Sequence, residues 1–158
     1  MDIEMGFEGA KFKFRVGGIL HCGGKYLAVK MNNNNFFCLP GGHVEIGEDT
    51  QQAVLREMRE ELGFEVKIDR LVAVNENFFL AEDKKQLHEL GFYYVVSAVN
   101  ESDINKSDYQ IDEHDKGKIV HLDFKWFSLD ELKNIDFRPK FLVECLENKQ
   151  TTIKITKE

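Results

Sequence analysis

The chain has little of what staples, kinks or anchors a fold: its 158 residues include two prolines, three cysteines and one tryptophan. Cys22, Cys38 and Cys145 are odd in number, widely spaced and never arranged as CxxC. That argues against a disulfide framework and a zinc knuckle, and predicts reduced, mostly buried thiols. No apolar run approaches the ~20 residues needed to cross a bilayer. The start, MDIEMGFEGAKFKF, is acidic and lacks the apolar stretch of a signal peptide, so a cytoplasmic protein is expected. Positive charge is also in short supply. The formal net charge of −7 disfavours stable binding to nucleic acid or to anionic lipid. Repeats and Pro-rich linkers are missing, and the only low-complexity stretch, Asn32 to Asn35, reads as a hairpin loop. One domain spanning residues 1–158 is the expectation.

What is present is enough for a core. With 42% hydrophobic and 31% charged residues, the composition is that of a globular chain. Phe12 to Leu20 reads as a strand, His21 to Gly24 as a turn, Lys25 to Lys30 as the returning strand, and Phe36 to Leu39 as the start of another. Pro40-Gly41-Gly42 interrupts it. Asp49 or Thr50 then caps a helix running to about Leu62, with Gln52 at the third helical position if Asp49 is the cap and Gly63 just past the end. Val54, Leu55, Met58 and Leu62 form an apolar stripe at helical spacing and belong to the core. Phe64 to Val74 predicts a strand, and Leu90 to Val99 a central one, since it is nearly continuous in apolar, β-favouring residues. Asn100 to Lys116 reads as a polar, acidic loop. Lys118 to Phe127 follows as a strand, Ser128 caps a short helix through Leu132, and Phe137 to Glu147 reads as a further helix around Pro139. Thr151 to Glu158 is an edge strand or a frayed tail. Strands and helices mixed in this order predict an α/β sandwich.

One segment stands out by its charge. Between Gly42 and Phe64 there are six acids and two bases, Arg56 and Arg59, so this stretch alone supplies −4 of the −7. Glu57, Glu60 and Glu61 crowd the last helical turn, where carboxylates oppose the macrodipole, and Glu57 faces the other two at spacings of three and four, where like charges repel. A cation held among them removes the conflict.

The spacing carries a resemblance. Gly42, five residues, Glu48, seven residues and Arg56-Glu57-Met58-Arg59-Glu60-Glu61-Leu62-Gly63-Phe64 resemble the Nudix box of the Nudix hydrolases. Seven fixed residue types, each near 7% in background, coincide by chance with a probability on the order of 10⁻⁸ per start position. The flanking LPGGHVE is similar to the family's approach to its box, and a looser similarity runs from Phe12 to the WFSLDEL of Trp126 to Leu132. The resemblance implies a Nudix-type α/β/α sandwich with a mixed β-sheet. It further implies divalent-metal-dependent hydrolysis of a phosphoanhydride in a nucleoside diphosphate linked to a group X, by water attack on phosphorus. A small-molecule nucleotide is then the substrate, Mg²⁺ or Mn²⁺ the cofactor, and a homodimer the family-level expectation. Glu57, Glu60 and Glu61 are implied as metal ligands, joined by the Gly42 carbonyl, with Glu48 as a supporting ligand or anchor and Arg56 orienting a glutamate. Oxygen donors suit a hard cation that keeps waters and bridges to phosphates.

Family members draw the base for the attacking water from a box glutamate or from a late acid. Glu57 is the first choice here, and Glu113 the late candidate, with Asp112 and Asp115 as rivals. His88 and Glu89 open the central strand and are candidates to reach substrate, although two polar residues at a strand mouth are ordinarily solvated. No role falls to the histidines, although His43 follows the glycine pair and is placed to line a pocket. Markers of particular substrates are weak. ADP-ribose-specific members carry a proline about sixteen residues beyond the box, where this chain has Leu80. Asp136-Phe137-Arg138-Pro139-Lys140 faintly resembles the base-reading segment of the 8-oxo-dGTP enzymes but lacks its asparagine. Phe78, Phe79, Tyr93 and Phe137 are candidates to stack on a base. The alternative reading is a Nudix-fold module that binds a nucleotide without cutting it. Such modules typically lose box glutamates, all of which are kept here.

Overall fold

The computed structural model describes residues 1–157 apart from 33, 82, 116, 149 and 150, together with the backbone but not the side chain of Asp115. Its sheet is built around two long ladders. Strand β2 (Ala10–Cys22), which follows a short β1 (Glu4–Phe7), runs parallel to β6 (Gln86–Ala98), and β6 pairs antiparallel with β5 (Val66–Leu80). On the outer side of β5 lies β10 (Thr152–Lys157), also parallel to its neighbour. A second layer contains β3 (Lys25–Met31), β4 (Phe37–Cys38), β7 (Tyr109–Asp115), β8 (Lys118–Ser128) and β9 (Phe137–Arg138). It joins the first where β2 turns into β3 through Gly23 and Gly24. Parallel and antiparallel pairs are both present, so the sheet is mixed as expected.

Both faces of the sheet are covered, and the period-2 alternation of the strands decides which residue goes where. Val16 and Leu20 of β2 and Tyr94 and Val96 of β6 face helix α1 (Thr50–Leu62), in a core shared with Leu27, Phe124 and Trp126. Ile19 and Tyr93 point the other way, toward α2 (Leu129–Asn134) and α3 (Leu142–Glu147), packing with Leu132, Phe137, Leu142 and Cys145. Val54 and Met58 are fully buried and Leu55 and Leu62 pack beside them, as the apolar stripe requires.

Two expected elements differ. The stretch Asn100 to Lys116, expected as a loop, becomes the strand β7 from Tyr109 onward, paired in register with β8. Its acids hid the alternation: Tyr109 and Ile111 face the core while Gln110 and Asp112 face solvent. The helix expected over Phe137 to Glu147 begins only at Leu142. A residue before proline disfavours the helical region, so Phe137 and Arg138 instead form an extended pair with β4. The central strands are also longer than their apolar runs, reaching Leu80 and starting at Gln86 across polar residues. Thr152–Lys157 is an edge strand.

Helix α1 approaches the sheet closely at one point. A Cβ on Gly18 would fall 2.3 Å from the Met58 sulfur, so the thioether occupies the space left by the glycine. Met58→Ala should therefore cost about 2–5 kcal/mol in urea unfolding, and Gly18→Ala should destabilise the wild type more than it does the Met58→Ala background. Additive effects in that double-mutant cycle would refute the contact.

Candidate functional site

The end of α1 is held beneath the chain that leads into it. Asp49 caps the helix, its carboxylate accepting from the Gln51 and Gln52 amides while the Gln52 side chain accepts from the Asp49 N–H. Gly63 closes it in the left-handed conformation at φ 78°, its N–H donating to the Arg59 carbonyl. Upstream, Pro40 to Val44 runs along β2: the Gly18 N–H donates to the Pro40 carbonyl, the Val16 N–H to the Gly42 carbonyl, and the Val44 N–H to the Phe14 carbonyl. Glycine is required at both positions of the turn. Gly41 has φ 141° and a Cβ there would lie 2.3 Å from the Val16 carbonyl, whereas a Cβ on Gly42 would lie 2.5 Å from the Glu57 carboxylate. The backbone thus comes directly over the glutamate.

Arg56 gathers the acids. Its Nη2 donates to Glu48 Oε1 at 2.6 Å and its Nε to Glu48 Oε2 at 3.1 Å, a two-pronged grip. Nη1 donates to Glu57 at 2.8 Å and to Glu60 at 3.3 Å, and Nη2 also reaches the His43 carbonyl at 3.0 Å. The Glu45 N–H donates to Glu48 at 2.7 Å, so Glu48 is fully occupied as an anchor of the loop. Arg59 turns away to Glu65. Glu61 is left out of the network. It is 9% exposed, and its one recorded hydrogen bond is from the Gly41 N–H at 3.0 Å. Burial first, and then the charges of Glu57 and Glu113, push its carboxyl up to about 8. Burial likewise raises Glu57, against the pull of Arg56.

Other predicted residues fall on either side of this centre. Glu113 is close enough to add to the field on Glu61. Asp112, one residue along β7, points to the opposite face and pairs with His121, and the Asp115 side chain lies outside the described residues. His43 does not line the cavity next to the site. It sits 3.9 Å from both Asp2 and Glu4, and burial and the neighbouring Arg15 and Lys13 push it down to about 4. Among the described residues no three His, Cys, Asp or Glu side chains stand ready around a single point. Arg56 holds Glu57 and Glu60 to itself instead. The donor set nonetheless fits a hard divalent cation, because Glu57 and Glu61 are half-buried and buried carboxylates with too little positive charge, and they lie under a backbone turn without Cβ atoms.

Beyond the turn is a cavity of about 160 Å³ whose lining includes Arg15, Phe36, Asn77, Phe79, Glu89 and Tyr93. Of the aromatic candidates, Phe79 and Tyr93 lie here, while Phe137 is buried in the core and Phe78 stacks on His88 across the sheet. Glu89, expected at a solvated strand mouth, is 9% exposed. Arg15, Phe36 and Asn77 went unnoticed in the sequence; only the period-2 face of β2, β5 and β6 could have grouped Arg15 with Asn77 and Glu89.

Known proteins resemble this chain at several levels. A family model described as the NUDIX domain matches residues 12–145. A protein of Methanocaldococcus jannaschii named ADP-ribose pyrophosphatase is 45% identical over 62 residues, 37% of this chain and 37% of that protein. A MutT-like protein of Streptomyces ambofaciens is 36% identical over 61 residues, 39% of this chain and 40% of the relative. The matched part thus spans about two fifths of each relative. The crystal structure of a MutT NUDIX hydrolase from Burkholderia pseudomallei superposes with a TM-score of 0.59 at 22% identity, over 88% of this chain and 98% of that one, a likeness of fold.

The raised Glu61 carboxyl predicts a pH dependence of stability in metal-free buffer. Below its ordinary value of 4.5 the group is protonated whether the chain is folded or not. Between 4.5 and about 8 the unfolded chain gives up the proton that the folded chain keeps, so stability falls as pH rises, and it levels off above 8. Glu61→Gln should therefore stabilise the metal-free protein at pH 8 by on the order of 1–4 kcal/mol and leave it unchanged near pH 4. Magnesium should raise the Tm of the wild type at pH 8 more than that of the variant. An equal response in both would place the ion elsewhere.

Proposed function

The chain belongs to the Nudix family, and from that premise we propose that it is a divalent-metal-dependent pyrophosphohydrolase of nucleoside diphosphates linked to a group X. The observation that supports this reading is the half-buried Glu57 and the buried Glu61 beneath the Gly41-Gly42 turn, with Arg56 paired to Glu57 and no base paired to Glu61 among the described residues. Glu57, Glu60 and Glu61, with the Gly42 carbonyl, would hold Mg²⁺ or Mn²⁺. The Gly42 oxygen keeps a lone pair free after accepting from Val16. Bound there, the ion would neutralise the diphosphate and polarise its P–O bonds.

The residues of the chain do the rest. Glu57, held by Arg56 at 2.8 Å, takes the proton from the attacking water as that oxygen bonds to phosphorus. The anhydride P–O bond breaks, and its electron pair leaves with the phosphate of the departing group. One product is a nucleotide and the other a phosphorylated X, or pyrophosphate when the substrate is a nucleoside triphosphate. Arg56 keeps Glu57 oriented and, through Glu48, fixes the loop over it. Glu113, close enough to add to the field on Glu61, is the second candidate base. The alternative of a binding module without turnover is not favoured by any feature of the site, since every acid of the box remains in place. No helix among the described residues is long and apolar enough to cross a membrane, in keeping with a small, dissolved substrate.

Hydrolysis of a nucleotide panel, with product identification, tests the reading. Turnover should require magnesium or manganese, and Glu57→Gln should lose about 10²- to 10⁴-fold in kcat while staying folded. Glu113→Gln should lose less. The reverse order would transfer the role of base to Glu113, and tight binding without turnover of any member would favour the binding module.

A further inference from the structure

We propose that the cavity beside the turn reads a nucleobase whose ring carries an N–H next to a carbonyl, as guanine, hypoxanthine and uracil do, and rejects adenine and cytosine. The inference rests on the hydrolase reading for its substrate class, a nucleotide, and adds which bases that nucleotide carries. Three side chains on one face of the sheet define it. Glu89 on β6 faces Asn77 directly across the antiparallel ladder, and Arg15 approaches Glu89 from β2 on the other side. All three line the same cavity.

Their hydrogen-bonding capacity is not spent within the protein. Glu89 is 9% exposed, no hydrogen bond from the described residues reaches it, and its ion pair with Arg15 is loose at 3.9 Å. A carboxylate buried for structure alone would be gripped at hydrogen-bond distance, as Glu48 is by Arg56. Arg15 has a buried Nε without a partner, and its Nη2 makes only a long contact of 3.4 Å to the Gly41 carbonyl. Asn77 is 5% exposed and accepts on Oδ1 from the Thr156 hydroxyl, which leaves its amide N–H groups as donors. Across the sheet the order is therefore donor, acceptor, donor.

A ligand that satisfies this row presents acceptor, donor, acceptor. The uracil edge has that order in O4, N3–H and O2. Guanine and hypoxanthine match two of the three places, with O6 at Arg15 and N1–H at Glu89, where the guanine amine can donate to the same carboxylate. Adenine and cytosine have a bare ring nitrogen at the same place, and its lone pair would face the Glu89 carboxylate. Phe36 and Phe79 in the lining, with the Arg138 guanidinium 4.4 Å above the Phe36 ring, supply flat surfaces for a heterocycle. The room for it is made by glycine. The Tyr93 side chain lies over Gly17 and Gly91, where a Cβ would come within 2.9 Å of its ring and 2.7 Å of its hydroxyl oxygen.

The test measures binding of nucleoside monophosphates by calorimetry in the presence of magnesium, which needs no turnover. GMP, IMP and UMP should bind at least about tenfold more tightly than AMP and CMP. Methylation of the ring nitrogen, as in 3-methyl-UMP, should abolish that advantage, a control that leaves the protein untouched. In Glu89→Gln the preference for UMP over AMP should collapse at least about tenfold, because glutamine can both donate and accept. AMP bound as tightly as UMP and GMP, undiminished binding of the methylated nucleotide, an unchanged preference in Glu89→Gln, or no binding of any monophosphate would each overturn the proposal. Its failure is distinguishable from that of the hydrolase reading. Metal-dependent cleavage of an adenine nucleotide without base preference would sink only the base assignment, whereas selective binding without cleavage would sink only the enzyme.

Discussion

Three carboxylates share the Arg56 guanidinium while a fourth, Glu61, goes without one, and the rest of the site depends on how that shortage of positive charge is distributed. Arg56 spends its donors on Glu48, Glu57 and Glu60. Glu61, the most buried of the four, receives an amide N–H and no base of its own. Removing such a group from water without a partner is costly, and the folded protein meets part of that cost by holding the proton. The cluster is also at the negative end of a helix, where the backbone adds to the conflict. A divalent cation would resolve all of these tensions together, and the same ion would make a negative pocket hospitable to a diphosphate.

The scaffold exists to maintain this arrangement at close quarters. The capping box and the left-handed Gly63 define the length of α1, and the Met58 contact with Gly18 sets its height above β2. The segment from Pro40 to Val44 is bonded along the same strand, so the Gly41-Gly42 turn and the glutamates are referred to one rigid element. Arg56 then ties the loop at Glu48 to the helix at Glu57. The end that carries the box glutamates is in this sense built from local sequence. The cavity is not: it draws Arg15, Asn77 and Glu89 from three strands whose pairing is long-range.

That difference explains what could be read from the residues alone. The helix, its caps, its apolar stripe and the acids of the box were legible because each is a spacing within some twenty residues. The mixed sandwich was legible from the order of the elements. Strand β7 was not, since Gln110, Asp112 and His114 mask the alternation of Tyr109 and Ile111, and it is the pairing with β8 that makes it a strand. For the same reason Glu113 could be nominated but not separated from Asp112 until the ladder put them on opposite faces. Glu89 was read as solvated because its burial comes from Arg15 and Asn77 on neighbouring strands. The start of the last helix was misplaced by giving Pro139 its helix-opening role and overlooking its effect on the residue before it.

The proposed metal and base sites thus both adjoin the glycine turn, where Gly41 gives its N–H to Glu61 and its carbonyl to Arg15. The Glu57 and Glu61 carboxylates are the proposed cation site. An anomalous-scattering map of crystals soaked in manganese tests it most directly. The account predicts a peak between the Glu57 and Glu61 carboxylates beneath Gly42. A peak confined to other residues, with Glu61 still bonded to the Gly41 N–H, would contradict it.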